Sequence, residues 1–346
     1  MELKQKKILI LLDPRGWFWK KYNDQNQTES LDIVLLSQSL ESAGYSVTSV
    51  RINELDFSGT YKDRLVLYAS SEDFNGGTKS FIEDILLWLE LQGAILIPSF
   101  SYLRAHHNKV MMELLRKSLQ DPGLKTIHSE FYPSRRTALK RTGPWPVVVK
   151  SASGAGSQGV ALVQDTKQLA KVTRKLARLS GWDLGALFYC RNLIRAVRRQ
   201  GPVNYHNAKL VIQNFLPGLS GDYKVLVFSG HYFVLHRQNR QNDFRASGSG
   251  QFIVADPAEI EGILNFAHRC SLAIDSPFIS MDIGFDGTQH HLIEFQCVSF
   301  GLKALTLSTE YFERTDTGLW QRVAGQSSPE MEFTRALIDY LKAKTE

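Results

Sequence analysis

The first 104 residues alternate short aliphatic runs with longer stretches in which apolar residues recur at helical spacing. The short runs predict β-strands and the longer stretches predict α-helices. The predicted strands are Lys7–Leu12, Tyr45–Ile52, Arg64–Tyr68 and Ala94–Pro98, and the predicted helices are Leu31–Leu40 and Phe81–Leu91. Strands separated by helices pair in parallel, because the crossover needs room for a helix. Residues 1–104 are therefore expected to form an α/β domain around a parallel sheet.

The remainder of the chain predicts two further lobes. A helix at Lys109–Leu119 leads into a central lobe over residues 105–210, and a C-terminal lobe covers residues 211–346. The chain ends in a helix that Ser328 caps and that has Pro329 in its first turn. The inner stripe of this helix consists of Phe333, Leu337 and Leu341.

Composition narrows the class of protein. Hydrophobic residues make up 43% and charged residues 22% of the 346-residue chain, which is ordinary for a globular protein. Three widely spaced cysteines, Cys190, Cys270 and Cys297, favour a reducing compartment over a disulfide framework. The N-terminal apolar run from Ile8 to Leu12 is too short for a signal peptide, and no run is long enough to span a membrane. We therefore expect a soluble, cytoplasmic protein.

A glycine-rich loop joins two predicted antiparallel strands, Val147–Lys150 and Val160–Val163. The backbone N–H groups of such a loop can close over anionic oxygens while Lys150 supplies positive charge. The loop does not open a helix and no Gly-Lys-Ser/Thr follows it, which excludes a dinucleotide fingerprint and a Walker P-loop. The candidate phosphate-binding residues of the loop are Gly154, Gly156, Ser157 and Gly159. The alternative is a hairpin with a purely structural role.

A second hairpin near the C-terminus carries three oxygen-bearing side chains. Strand alternation places Glu294 and Gln296 on one face of the second strand. If the connecting loop has an odd number of residues, Asp282 of the partner strand shares that face. Carboxylates and a neutral oxygen suit Mg²⁺ when substrate phosphates complete the coordination. The alternative is a solvated hairpin face.

These two hairpins, together with three motifs that occur in the expected order, resemble the ATP-grasp ligases, and most closely their RimK-like branch of amino-acid and peptide ligases. The match covers roughly residues 105–305. The three further motifs are His107-Asn108-Lys109 before a helix, Gln213-Asn214-Phe215-Leu216-Pro217-Gly218 followed by Gly221-Asp222-Tyr223-Lys224, and the segment from Arg237 to Arg245.

The resemblance implies a Rossmann-like N-terminal domain, preceding the ATP-grasp lobes, and two α+β lobes that clasp ATP. Lys109 and Lys150 would neutralise the phosphates, and Arg237 and Arg245 would face the transferred phosphate. The nucleotide would also meet Gln213, Asn214, Phe215, Leu216, Asp222 and Lys224. Asp282, Glu294 and Gln296 would hold Mg²⁺, with Mn²⁺ as an alternative.

The implied reaction joins a small-molecule or peptide carboxylate to an amine through an acyl phosphate, with release of ADP and phosphate. The sequence departs from the family pattern at four places. Gln296 replaces the usual Asn, and Lys224 replaces an expected Arg, which loses bidentate geometry. Ser247 replaces an Asn, and Ser299-Phe300-Gly301 replaces Ser-Pro-Gly. Two alternatives stay open. One is a kinase that phosphorylates a hydroxyl, and the other is a nucleotide-binding regulatory protein without turnover.

The net charge of +6 is concentrated in one segment. Residues 166–209 carry ten Lys and Arg residues against one acidic residue, Asp183. The segment is either a pair of solvated helix faces or a patch that attracts an anionic acceptor. It contains few aromatic residues, Trp182 and Tyr189 among them, and no recognised nucleic-acid-binding module surrounds it, so no nucleic-acid partner is expected. A homo-oligomer is compatible with the sequence.

The loop after the first strand is aromatic and basic, and includes Trp17, Trp19 and Lys20. Loops at the carboxyl ends of parallel strands gather ligands, so this loop suits recognition of a ring and a carboxylate. The alternative is that its tryptophans cover the core.

Overall fold

The computed structural model describes most of the chain. The described residues are 6–22, 27–71, 73, 76–153, 159–176, 190–195, 197–198, 208–239, 243–245, 252–253 and 257–344.

The N-terminal sheet is parallel, as the alternation of strands and helices predicts. Its four strands lie in the order β4-β1-β5-β6. The strands of this region are β1 (Lys7–Leu12), β2 (Lys20–Tyr22), β3 (Thr28–Ser30), β4 (Ser46–Arg51), β5 (Leu65–Tyr68) and β6 (Ile95–Ile97), and the helices are α1 (Ile33–Ser42), a 3₁₀ turn (Ile52–Glu54) and α2 (Gly77–Leu91). β2 and β3 form a separate two-stranded ribbon. This ribbon was not predicted.

The second sheet is antiparallel, with strand order β7-β10-β8-β9. Its strands are β7 (Ser129–Tyr132), β8 (Val147–Ser151), β9 (Val160–Val163) and β10 (Leu210–Asn214). The helices of this region are α3 (Phe100–Ala105), α4 (Lys109–Ser118), a 3₁₀ turn (Pro122–Leu124), α5 (Arg135–Ala138) and α6 (Thr166–Leu176). Lys150 pairs with Val160 across β8 and β9, so the predicted glycine-loop hairpin is present.

The third sheet is also antiparallel and has seven strands. They are β11 (Gly221–Phe228), β12 (His231–Gln238), β13 (Phe252–Ile253), β14 (Phe278–Phe285), β15 (His290–Gln296), β16 (Glu310–Arg314) and β17 (Trp320–Ala324). The path runs β15-β14-β11-β12-β16-β17, and β13 pairs with β12. The helices that follow or cover it are α7 (Pro257–Ala273), α8 (Lys303–Thr306) and α9 (Pro329–Ala343).

Trp19 lies in the core that joins the N-terminal sheet to the third sheet. It is 3% exposed, and its indole N–H donates to the carbonyl of Phe300 over 3.1 Å. Its ring makes edge contacts with Phe278, Phe300 and Phe333, of which the last belongs to α9. For Trp19 the core interpretation of the N-terminal loop is therefore correct.

The terminal helix begins as predicted. The Ser328 hydroxyl accepts a hydrogen bond from the Met331 amide, and Pro329 is the first helical residue. Phe333, Leu337 and Leu341 are buried. Within the described part of the chain, none of the helices combines the length and apolar composition needed to cross a membrane.

Candidate functional site

A cleft of about 260 Å³ is lined by residues of the second and third sheets and by the start of α4. Among its described lining residues are five cationic and three anionic side chains. The cationic residues are Lys109, Lys150, Lys224, Arg237 and Arg245, and the anionic ones are Asp222, Asp282 and Glu294. The excess of positive charge favours an anionic ligand.

The structure brings together candidate residues that are far apart in the sequence. All the predicted site residues that it describes line this cleft. They are Lys109, Lys150, Gly159, Gln213, Asn214, Phe215, Leu216, Asp222, Lys224, Arg237, Arg245, Asp282, Glu294 and Gln296. The remaining three, Gly154, Gly156 and Ser157, lie outside the described residues.

Two lysines enter the cleft from the second sheet and from α4. Lys150, near the end of β8, is 8% exposed. Burial lowers the pKa of its ammonium, while the carboxylates of Glu113 and Glu294 act in the opposite direction. Lys109 is the first residue of α4, and its backbone N–H donates to the Ala152 carbonyl over 2.8 Å. The positive end of the α4 dipole therefore meets the strand that leads into the glycine loop.

Asp282 and Glu294 pair directly across β14 and β15. The predicted condition for this, a connecting loop of odd length, is wrong: four residues, Asp286 to Gln289, join the strands. A β-bulge between Asp282 and Ile283 shifts the register, since Ile283 pairs with Leu292 while Asp282 pairs with Glu294. The bulge supplies the extra residue that the loop lacks, so the two carboxylates share one face.

The donor set on this hairpin suits a hard divalent cation. Asp282, Glu294 and Gln296 all line the cleft, and the Gln296 amide nitrogen lies 3.2 Å from a Glu294 carboxylate oxygen. Among the described residues no three His, Cys, Asp or Glu side chains form a metal-binding group. Two carboxylates and one amide instead leave positions for phosphate oxygens, an arrangement that Mg²⁺ favours.

Asp282 is also bound by two cations. Lys224 Nζ lies 2.9 Å from one of its oxygens, and Arg237 Nη2 lies 2.8 Å from the other. Burial alone would raise the pKa of the Asp282 carboxyl, but Lys224 and Arg237 hold it below its usual range. Asp282 is therefore ionised, and a metal ion must displace or share these partners to reach it.

Arg237 is held between two carboxylates. Its Nε donates to Asp222 over 2.6 Å, and Asp222 and Arg237 pair across β11 and β12. Burial and the neighbouring Asp282 carboxylate raise the pKa of Asp222. Arg237 therefore lines the cleft and also holds the carboxylates of Asp222 and Asp282 in place.

The other end of the cleft is apolar. Phe215 and Phe244 pack edge to face, with ring centroids 6.2 Å apart. The side chains of the two residues before Phe215 position the strand: the Asn214 amide oxygen accepts from the His128 backbone over 2.7 Å, and Gln213 donates to Ser129 over 3.0 Å. This end suits a planar ring, with Phe215 at its edge.

Arg245 links the segment 243–245 to the glycine-loop hairpin. It forms a bidentate pair with Asp243, at 2.9 and 2.6 Å, and its Nη1 lies 3.3 Å from the Val160 carbonyl. Val160 begins the strand that follows the glycine loop. Arg245 is therefore placed beside the end of the cleft where the loop begins and ends.

Sequence reasoning missed two groups of residues. The first group completes the cleft lining and comprises Ile127, Val148, Val160, Gly218, Leu219, Phe244 and Ile293. The second group, Glu113, Arg116 and Ser129, is buried behind the cleft. Glu113 and Arg116 are three residues apart on α4, a spacing that by itself suggests a solvated surface pair. Their burial depends on packing that the helix sequence does not show.

Solved structures resemble this fold. D-alanine–D-alanine ligase from Bacillus anthracis complexed with ATP is 13% identical, with 99% of both chains covered and a TM-score of 0.49. The ATP-grasp ligase PsnB complexed with minimal precursor is 12% identical, with 96% of this chain and 99% of that chain covered and a TM-score of 0.47. A RimK domain ATP-grasp protein from Sphaerobacter thermophilus DSM 20745 is 13% identical, with coverage of 85% and 92% and a TM-score of 0.45.

Each is a likeness at 12–13% identity and a TM-score below 0.5. No protein-family model and no curated protein matches the sequence significantly.

Proposed function

We propose that this protein is an ATP-dependent carboxylate–amine ligase that forms an amide or peptide bond through an acyl phosphate. The observation that carries the proposal is the convergence of the separated motifs on one cleft. The cleft is lined by Lys109 and Lys150, by Phe215 and Leu216 after β10, by the charged residues of β11 and β12 (Asp222, Lys224 and Arg237), and by Glu294 of β15. The cleft therefore offers what ATP binding needs: an apolar slot for the adenine ring, ammonium groups for the phosphates and a hairpin that can hold a metal ion.

In this proposal the adenine ring occupies the apolar end beside Phe215 and Phe244, and the triphosphate extends toward Lys150 and Lys109. The positive end of the α4 dipole lies at the same end. Mg²⁺, or Mn²⁺, held by Asp282, Glu294 and Gln296 would neutralise charge on the phosphate oxygens.

The first step forms a bond between a carboxylate oxygen of the substrate and the γ-phosphorus, while the bond from that phosphorus to ADP breaks. In the second step the amine attacks the acyl carbon, phosphate leaves, and the amine gives up a proton. The chain contributes positioning and charge: Lys150 and Arg245 stabilise negative charge that develops on the transferred phosphoryl group. No nucleophilic side chain is required.

A regulatory nucleotide-binding protein without turnover is the second candidate. One observation favours it: Lys224 and Arg237 occupy both oxygens of Asp282. If neither cation yields to a metal ion, the protein would bind nucleotide without activating it. The carboxylate–amine ligase remains the better candidate because Glu294 contacts Gln296 at the cleft, and within the described part of the chain no Lys or Arg forms a salt bridge with Glu294.

The basic segment, residues 166–209, remains a proposed docking patch for an anionic acceptor. Only residues 166–176, 190–195, 197–198 and 208–209 of it belong to the described part of the chain. The boundaries of the three proposed domains, 1–104, 105–210 and 211–346, also remain predictions.

ADP release in the presence of Mg²⁺, measured with a panel of amino acids and short peptides, tests the proposal. A ligase sustains ADP release over many turnovers only when both a carboxylate and an amine are present, and mass spectrometry detects the amide. A kinase releases ADP with a hydroxyl acceptor and yields a phosphate ester. Nucleotide binding without ADP release under any of these conditions would favour the regulatory candidate.

A further inference from the structure

Beside the cleft lies a buried polar cluster, of which three members, Glu113, Arg116 and Ser129, have no part in the proposed chemistry and the fourth, Gln213, lines the cleft. Its four members, named here the α4 cluster, are Glu113, Arg116, Ser129 and Gln213. They are 0, 1, 2 and 3% exposed, respectively. They come from three elements, since α4 carries the ion pair, β7 carries the serine and β10 carries the glutamine.

Hydrogen bonds connect the cluster to the strand that leads to the proposed adenine slot. Arg116 and Glu113 form an ion pair, and the Ser129 hydroxyl donates to the same Glu113 carboxylate. The Ser129 oxygen accepts from Gln213 Nε2 over 3.0 Å and from Arg116 Nη2 over 3.2 Å. One donated and two accepted bonds use the full capacity of a hydroxyl group. Gln213 is therefore tied to Arg116 through Ser129.

Arg116 also reaches the third sheet. Its Nη1 donates to the Leu292 carbonyl over 2.9 Å, and its Nη2 donates to the Ile127 carbonyl over 3.1 Å. Leu292 is the last residue paired before the bulge in β15, and Glu294 is the first one paired after it. One guanidinium thus holds the backbone of the metal hairpin at its bulge and, at the same time, the second sheet.

The register at this bulge decides where Glu294 points. Without the bulge, a uniform register would continue from Ile283–Leu292 to place Ile293, not Glu294, opposite Asp282. A shift of one residue moves a side chain to the opposite face of a strand. Glu294 would then turn away from the face that carries Asp282 and Lys224.

The cluster is costly to maintain for packing alone. A buried ion pair is seldom more stabilising than well-packed apolar residues of similar volume, because both charges lose their hydration. In addition, the second carboxylate oxygen of Glu113 has no hydrogen-bond partner among the described residues. A group of this kind is better explained by a positional role than by stability.

We propose that Arg116 is a positioning residue that fixes the bulge of the hairpin β14–β15, the metal hairpin, to strands β7 and β10 of the second sheet, so that Glu294 faces Asp282. The inference rests on the proposed function. It assigns to Arg116 no contact with the nucleotide: the guanidinium acts through Leu292 on the metal hairpin, while Ser129 and Gln213 anchor it to the second sheet.

The test uses the double variant Glu113→Leu/Arg116→Met, which removes both buried charges together and so avoids leaving one of them unpaired. Calorimetry measures ADP affinity in EDTA and then as a function of Mg²⁺. We expect metal-free ADP affinity within about threefold of wild type, since direct nucleotide contacts are kept. The Mg²⁺ concentration that half-saturates the enhancement of ADP binding should rise at least about tenfold, the equivalent of about 1.4 kcal/mol.

Arg335→Met is the matched control. Arg335 likewise donates to two backbone carbonyls, those of Ser229 and Phe228, but from α9 and outside the lining of the cleft. It should lower thermal stability without changing the Mg²⁺ dependence. Hydrogen exchange of peptides covering residues 290–296 gives a readout independent of nucleotide, and protection there should fall in the double variant and not in the control.

Unchanged Mg²⁺ dependence with unchanged exchange in a folded double variant would overturn the inference. If the double variant does not fold, Arg116→Lys replaces it in the calorimetry and the hydrogen-exchange experiment. A lysine keeps the charge but cannot bridge the Leu292 and Ile127 carbonyls, so the same changes are expected. Failure of the proposed function has a different signature: wild-type protein would then release no ADP with any carboxylate and amine, whatever the Mg²⁺ dependence of nucleotide binding in the double variant.

Discussion

Asp282 and Glu294 lie directly opposite each other on neighbouring strands, although an even number of residues connects those strands. A β-bulge in β15 adds one residue between Leu292 and Glu294, which offsets the even length of the loop and places both carboxylates on the same face. Lys224 pairs with Asp282 from the other side, so two acids and one cation form a row across three strands. The charge pattern of the cleft floor therefore depends on one irregular residue.

Lys150 is predicted to bind the triphosphate. It is buried at the cleft, so Lys150→Ala should weaken ATP binding by about 1.5–3 kcal/mol, the scale of a charge-assisted hydrogen bond. Lys109→Ala should have an effect of the same order. Calorimetry measures both, with the exposed Lys140→Ala as a control that leaves affinity unchanged. Unaltered ATP affinity in Lys150→Ala would contradict the assignment.

Glu294 is predicted to be the essential metal carboxylate. Glu294→Gln should abolish turnover, because Gln296 supplies only a neutral donor and Asp282 is already bound by two cations. Gln296→Asn restores the usual family residue and should retain activity. ADP release over a range of Mg²⁺ concentrations distinguishes the two variants. Full activity in Glu294→Gln would show that the catalytic metal is not bound by this hairpin.

The half-buried Arg195 and the exposed Arg198 are predicted to attract an anionic acceptor. Reversing both to Glu should raise the KM for the acceptor and flatten its dependence on ionic strength, while ATP binding stays the same. Initial rates across salt concentrations provide the measurement. Identical kinetics in the variant and the wild type at every salt concentration would indicate that the segment is only a solvated surface.

Glu332 on α9 should make stability depend on pH. Burial raises the pKa of its carboxyl, but hydrogen bonds from His231, Ser327 and Arg335 bring it below the ordinary 4.5. A lowered folded-state pKa means that the stabilisation is present above 4.5 and is lost as pH falls through the folded-state value.

Glu332→Gln should therefore lower the free energy of unfolding by about 1–3 kcal/mol at neutral pH, with a smaller difference in acid. Urea denaturation at several pH values measures this. Glu310→Gln, which removes a solvated pair with Arg322, should change stability by less than about 0.5 kcal/mol. If the difference in the free energy of unfolding between Glu332→Gln and wild type grew as the pH fell, the predicted pH dependence would be wrong.

The sequence by itself determined the elements and most of the chemistry. The strand at Lys7–Leu12 and the terminal helix with its Ser328 cap follow from periodicity and capping, because both signals are local. The motif residues were also visible, since Lys150, Asp222, Glu294 and Gln296 stand in short, ordered patterns. Their types and spacing indicated a phosphate group and a metal as ligands, and the resemblance to the ATP-grasp ligases implied the nucleotide.

Only the tertiary structure decided how those residues meet. The bulge beside Asp282 is invisible in the sequence, because a strand with one extra residue has the same composition as a regular one. The buried state of Glu113 and Arg116 likewise follows from α4 packing between two sheets, while their spacing alone suggests a surface pair. Local periodicity fixes which face of an element is apolar. The register and the burial of charge depend instead on contacts between distant segments, whose energies no short stretch of sequence contains.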